Sequence, residues 1–186
     1  DPVHSQRLRI FTPAAELPFA GHPTIGTAWL LAALGAVPRR EPTTTLHFEE
    51  GVGLVTVEIA VEQGQPTFVH LTAAQLPVQG PEPPEPARLA ELLALTVADL
   101  ADGDWRAEAW SCGVPFLCVP LCDQAALTRA TLRLDRWAAT LADGWAPQVY
   151  PFCRDPADST LFHVRMFAPA LGVAEDPATG AAAAAF

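Results

Sequence analysis

Half of the 186 residues are hydrophobic and 17% are charged, a balance too apolar for a disordered chain. The formal net charge is −10, and Arg39 and Arg40 are the only adjacent basic residues, so the clustered cations of a nucleic-acid-binding face are missing. No apolar run is long enough to span a bilayer, and the expectation is a core-rich cytoplasmic domain without membrane or nucleic-acid partners.

The first predicted element is a strand over 8–12. Pro is favoured at the first helical position, where its missing N–H would be unbonded anyway. Pro23 therefore predicts a helix over 23–34 with His22 at or near its N-cap. The run from Thr27 to Leu34 is apolar on nearly every side, which predicts a buried helix with Trp29 in the core, and Gly35 ends it. Residues 43–48 and 54–61 alternate or are β-branched and predict a hairpin, with Glu49, Glu50 and Gly51 as its solvated turn. A third strand follows over 67–71. Pro81, Pro83, Pro84 and Pro86 exclude regular structure, so 81–86 reads as a linker between an N-terminal lobe, 1–80, and a C-terminal lobe, 87–186. Beyond it come a helix over 87–95 with Leu89, Leu92 and Leu93 on one side, strands over 105–111 and 116–121, and a helix over 134–141. Strands over 148–153 and 161–167 lead to a second Pro-opened, Ala-rich helix after Pro177, with Asp176 as its N-cap. The class is α+β, two strand-rich lobes each on one helix.

The chain says nearly the same thing twice. Arg9-Ile10-Phe11-Thr12-Pro13-Ala14 is followed by Gly21-His22-Pro23-Thr24-Ile25-Gly26-Thr27-Ala28. Arg165-Met166-Phe167-Ala168-Pro169-Ala170 is followed by Glu175-Asp176-Pro177-Ala178-Thr179-Gly180-Ala181-Ala182. A duplicated unit of this size predicts two similar lobes with a site between them. Each copy brings one titratable side chain, His22 or Asp176, to a helix start. The start at Asp1 and the end in an opening helix read as the middle of a longer protein. Cys112, Cys118, Cys122 and Cys153 have neither zinc nor disulfide-scaffold spacing and are expected as buried thiols. His47, His70 and His163 fall in strands and His4 near the chain start, where surface or hydrogen-bonded roles are expected rather than ligation.

Four segments resemble the phenazine-biosynthesis PhzF-like family, which shares the diaminopimelate-epimerase fold. They are Arg9 to Pro13, Glu16-Leu17-Pro18-Phe19-Ala20-Gly21-His22-Pro23-Thr24, Gly113-Val114-Pro115-Phe116, and Glu175 to Gly180. The resemblance runs over the whole chain. It implies two pseudo-symmetric lobes, each a barrel-like sheet around a central helix, with the active site in the cleft between them. It implies cofactor-independent proton-shift chemistry and commonly a homodimer. The best-known activity is isomerisation of a dihydro-hydroxyanthranilate, although many members do not make phenazines. His22 and Asp176 match the family's active-site His and Asp. Gly21, His22 and Gly180 match backbone positions that hold the substrate carboxylate. Ala181 stands where the family usually has Ser. The family's main acid/base Glu lies in a Ser-Glu-Ser/Thr segment upstream of the first motif and is not among these residues. Glu16 is not its substitute.

Beside the resemblance, two helix N-termini at one cleft offer orphan N–H groups to an anion, so a small carboxylate substrate is expected. His22 and Asp176 would then pass a proton across the cleft as general acid and base. Neither motif contains Cys, which disfavours a two-thiol racemase. With no metal-ligand cluster and no Gly-rich phosphate loop, no cofactor is expected. The alternative reading is a non-catalytic binding or interaction protein that retains the fold.

Overall fold

The structure, a computed structural model, describes residues 6–186; His4 lies outside them. Two short strands, β1 (Gln6–Arg7) and β2 (Ile10–Phe11), replace the single strand predicted over 8–12. Strand β2 turns back on β3 (Glu16–Leu17), and the Thr12 hydroxyl both accepts from the Ala15 N–H and donates to the Ala15 carbonyl to close that turn. Helix α1 (Gly21–Ala33) follows. It ends as predicted: Gly35, at φ +69, donates to the Ala32 carbonyl while the Ala36 N–H bonds that of Leu31.

Helix α1 is not buried all round. Its buried residues are Gly21, Thr24, Ala28 and Ala32, a stripe of small side chains. Trp29, Leu30 and Leu34 are 41%, 55% and 72% exposed, so Trp29 is not a core residue. The helix approaches its sheet closely through the small stripe, which leaves no room for large side chains on that face.

Strands β4 (Thr43–Glu50), β5 (Gly53–Glu62) and β6 (Gln65–Thr72) form an antiparallel meander, with β1 parallel to β4 at one edge. Alternate residues Leu46 and Phe48 on β4, and Val55, Val57, Ile59 and Val61 on β5, point inward beneath α1. The hairpin turn is tighter than predicted. Glu49 pairs with Leu54 and Glu50 with Gly53, so both glutamates belong to the ladder and only Gly51 and Val52 turn. The period-two alternation carries Glu50 to the inner face, where it is 7% exposed.

The second half contains β7 (Val78–Gln79), α2 (Pro86–Leu92), β8 (Glu108–Ser111), β9 (Pro115–Pro120), α3 (Gln124–Arg129), α4 (Leu134–Thr140), β10 (Gln148–Arg154), β11 (Phe162–Val164) and α5 (Gly180–Ala185). Residues 80–85 are irregular, as the prolines require. Helix α3 was not foreseen, although Asp123 caps it by accepting the Ala126 N–H at 2.7 Å. The sheet order is β11-β10-β9-β8-β7, with β9 and β10 parallel. These central strands are apolar and covered on both faces. On one face lie Leu89, Leu92, Leu93 and Leu127; the other face joins the first sheet.

That joined core corrects the two-lobe expectation. Phe48, Val57, Ala28 and Ala32 pack in one cluster with Phe116, Tyr150, Phe152, Met166 and Ala182. The described residues form one lobe-like α+β unit with a shared core. Cys112, Cys118 and Cys153 are buried thiols, as expected, but Cys122 is exposed.

Candidate active site

The duplicated motif is a real structural repeat, in a different register from the one read in the sequence. In the first copy, Arg9 donates from Nε and Nη2 to the two oxygens of Glu16 at 2.9 and 2.8 Å. Its guanidinium lies 4.8 Å from the centre of the Phe11 ring. In the second, Arg165 donates to the two oxygens of Glu175 at 2.7 and 2.8 Å and lies 4.9 Å from the Phe167 ring centre. Each Arg–Glu hydrogen bond holds its carboxylate below the usual carboxylate range. Each glutamate stands five residues before a helix-opening glycine, Gly21 or Gly180.

By this register Pro177 corresponds to Pro18, and His22 to Ala181. His22-Pro23 and Asp176-Pro177 are not counterparts. Pro23 is the third residue of α1, and Pro177 lies ahead of α5. Neither His22 nor Asp176 is an N-cap. Those positions belong to Ala20 and Thr179, and neither supplies a side-chain cap. The Thr179 hydroxyl instead donates to Asp176 Oδ2 at 2.6 Å, while the Asp176 N–H donates to the Met166 carbonyl at 2.9 Å. Asp176 is thus fixed on the turn beside the start of α5.

The two helix starts touch backbone to backbone. A Cβ on Gly21 would stand 2.9 Å from the Gly180 Cα, and one on Gly180 would stand 3.0 Å from the Gly21 Cα. Beside this contact opens a cleft of about 260 Å³. Gly21, His22, Asp176, Gly180 and Ala181 all line it, so the structure brings together every site residue singled out in the sequence. His22 is exposed at the rim and Asp176 is half-buried. Uncapped first-turn N–H groups of both helices and two titratable side chains therefore share one concavity. Its remaining walls are apolar, with Phe11, Leu17 and Phe19 from the first copy, Met166 and Ala168 from the second, and Val114 and Phe116 between them. These walls escaped the sequence reading, although Phe11 and Met166 sit inside the repeated segments that signalled the site. Glu16 is bound to Arg9 and is not among the cleft-lining residues. His70 pairs with Glu58 and His163 with Asp155, both away from the cleft. Among the described residues, no group of three or more His, Cys, Asp or Glu is placed to hold a metal ion. Among these residues, no helix is long and apolar enough to cross a membrane.

This α+β chain, with its doubled Arg-x-Phe-x-Pro brace and glycine-opened helices meeting at a cleft, matches the phenazine biosynthesis-like proteins in sequence. That family's pattern matches residues 2–186, and the chain belongs to it. The chain is 35% identical over 190 aligned positions to an uncharacterized isomerase of Mesorhizobium japonicum, covering 100% of this chain and 62% of that protein. It is 37% identical over 177 positions to trans-2,3-dihydro-3-hydroxyanthranilate isomerase of Pseudomonas aeruginosa, covering 95% of this chain and 56% of that one. Its fold is similar to the crystal structure of a PhzF-family phenazine biosynthesis protein of Bacillus anthracis, with a TM-score of 0.77 and 26% identity over 95% of this chain and 58% of the other. The chain thus spans about three-fifths of the length of these relatives.

Proposed function

We propose that this chain carries the acid/base cleft of a cofactor-independent isomerase or epimerase that moves a proton on a small carboxylate. The observation that carries this reading is the convergence of Gly21-His22 and Gly180-Ala181 at one cleft, with Asp176 beside them. The free N–H groups of Gly21, His22, Gly180 and Ala181 would hold the substrate carboxylate. The start of α1 adds roughly 0.3–2 kcal/mol of favourable field, and the six-residue α5 adds less. Charge that develops on the carboxylate as the neighbouring C–H is broken falls on these same donors. One of His22 and Asp176 takes the proton and the other returns one. The names of the relatives support a reaction of the dihydro-hydroxyanthranilate isomerase type. The homodimer that the family resemblance implies, and a cytoplasmic location, belong to the same proposal.

The test is to incubate the protein with cyclic and acyclic carboxylates in D₂O and follow exchange at carbon by NMR. Exchange that disappears in His22→Ala supports the isomerase. Binding without exchange at carbon for every candidate makes the chain a binding module instead.

A further inference from the structure

Glu50 ends β4 on the core face of its sheet, a place where an unpaired carboxylate is costly. No cation meets it. The influences on it are burial, which raises its pKa, and a weaker opposing effect from its hydrogen bond with Thr24 on α1; among the described residues no charged group on a neighbouring element adds to these. Its second oxygen, Oε2, is buried without a hydrogen-bond partner among the described residues.

The proton count around Thr24 decides its state. Thr24 Oγ1 lies 2.6 Å from Glu50 Oε1 and 2.8 Å from the Ala20 carbonyl oxygen. A hydroxyl has one proton to give, and a carbonyl can only accept. If Glu50 were ionised, both neighbours of the Thr24 oxygen would be acceptors. One contact would set lone pair against lone pair, and Oε2 would be a buried anionic oxygen with no donor. With the proton on Oε1, Glu50 donates to Thr24, Thr24 donates to Ala20, and only a neutral carbonyl oxygen is left without a partner. Ala20 is the N-cap of α1, directly before Gly21 and His22.

We infer that Glu50 is a neutral acid in the folded protein and, through Thr24 and the Ala20 carbonyl, a positioning residue for the helix start that carries Gly21 and His22. Its bearing on the reaction rests on the proposed function; its protonation state does not. When Glu50 loses its proton to solvent, the Thr24 hydroxyl turns to the new carboxylate. The Ala20 carbonyl then keeps only the long 3.4 Å bond from the Thr24 N–H, and the backbone ahead of the cleft loosens.

The experiment is a pH titration of the chain labelled with ¹³C at the glutamate carboxyls and ¹⁵N at the amides. One glutamate carboxyl, absent in Glu50→Gln, should titrate above the group of exposed glutamates. The Gly21 and His22 amides should show a step with the same midpoint. Glu50→Gln, whose amide still donates to Thr24, should remove that step. In Thr24→Val the carboxyl should still titrate high, but the two amides should no longer follow it. The inference is overturned if Glu50 ionises together with the exposed glutamates, or if the Gly21 and His22 amides of the unaltered chain ignore its midpoint. Absence of hydrogen exchange at substrate carbon, with this titration intact, would count against the proposed function alone.

Discussion

Gly21 and Gly180 are the points at which the two motif copies meet, and the meeting leaves no space for a side chain. Gly21→Ala and Gly180→Ala each place a methyl within 3.0 Å of opposing backbone, which must shift. Each should lower stability by about 1–3 kcal/mol, measured by thermal unfolding. Gly26 is the internal control. It lies in α1 with nothing within 4 Å of an added Cβ, so Gly26→Ala should raise stability by roughly 0.5–1 kcal/mol. His22→Ala and Asp176→Ala belong to the same scale. If the proposed chemistry holds, each should reduce turnover by about 10²–10⁴-fold. Neither residue caps a helix, so the melting temperature should move little. A lowered melting temperature with unchanged turnover in Asp176→Ala would assign Asp176 to holding the Thr179 turn alone. At this scale the sequence was legible for which residues gather at the cleft but not for how the helices begin: the His-Pro and Asp-Pro pairs pointed to starts at Pro23 and Pro177, whereas the helices open at Gly21 and Gly180. It was misleading for Glu50, because a Glu-Glu-Gly string looks like a solvated turn and only the ladder pairing carries the second glutamate inward.

The Arg–Phe–Glu brace acts at the scale of the element. Arg165 joins the second motif to the end of α3, because Nη1 also donates to the carbonyls of Leu127 and Ala130 at 2.8 and 2.7 Å. Arg165→Ala removes the ion pair and leaves these carbonyls without their donor, and should cost about 1–3 kcal/mol in chemical denaturation. Lys cannot span the fork and should restore little. The pH dependence follows from the depressed pKa of Glu175. Its folded value lies below its unfolded one, so its contribution is complete above the usual carboxylate range and is lost as pH falls through the folded value. Partial exposure of the pair keeps this contribution small. Unfolding followed against pH should show an acid limb that flattens in Glu175→Gln. Glu50 works in the opposite direction: its folded value is raised, so its contribution is complete at low pH and is lost as pH rises through that value. The braces also explain why the repeat was read out of register. Arg9 reaches Glu16 across seven residues and Arg165 reaches Glu175 across ten, so the copies differ in loop length, and the similar His-Pro and Asp-Pro pairs drew the alignment five residues away from Pro18.

For the whole molecule, the decisive feature is the shared core. Alternation in 43–72 and apolar strands over 115–120 and 148–154 made the α+β class legible, because each pattern follows from local burial. How the two sheets meet was not legible, since contacts between Phe48 and Phe116 regions leave no periodic trace in either segment. The exposure of Trp29, Leu30 and Leu34 has the same origin, because which side of an all-apolar helix faces inward is set by the partner surface. The shared core holds α1 on β5 and β6, and α5 on β8 and β9, so that the two helix starts converge at the cleft. On the proposed reading, this convergence forms one anion-holding site. The most direct measurement is a titration of the ¹⁵N-labelled protein with benzoate, followed by amide shifts. Saturable shifts centred on Gly21, His22, Gly180 and Ala181, reduced in Gly180→Ala, are the expected result. Shifts confined to the irregular segment at 80–85, or to the aromatic groove around Trp105 and Phe186, would contradict it.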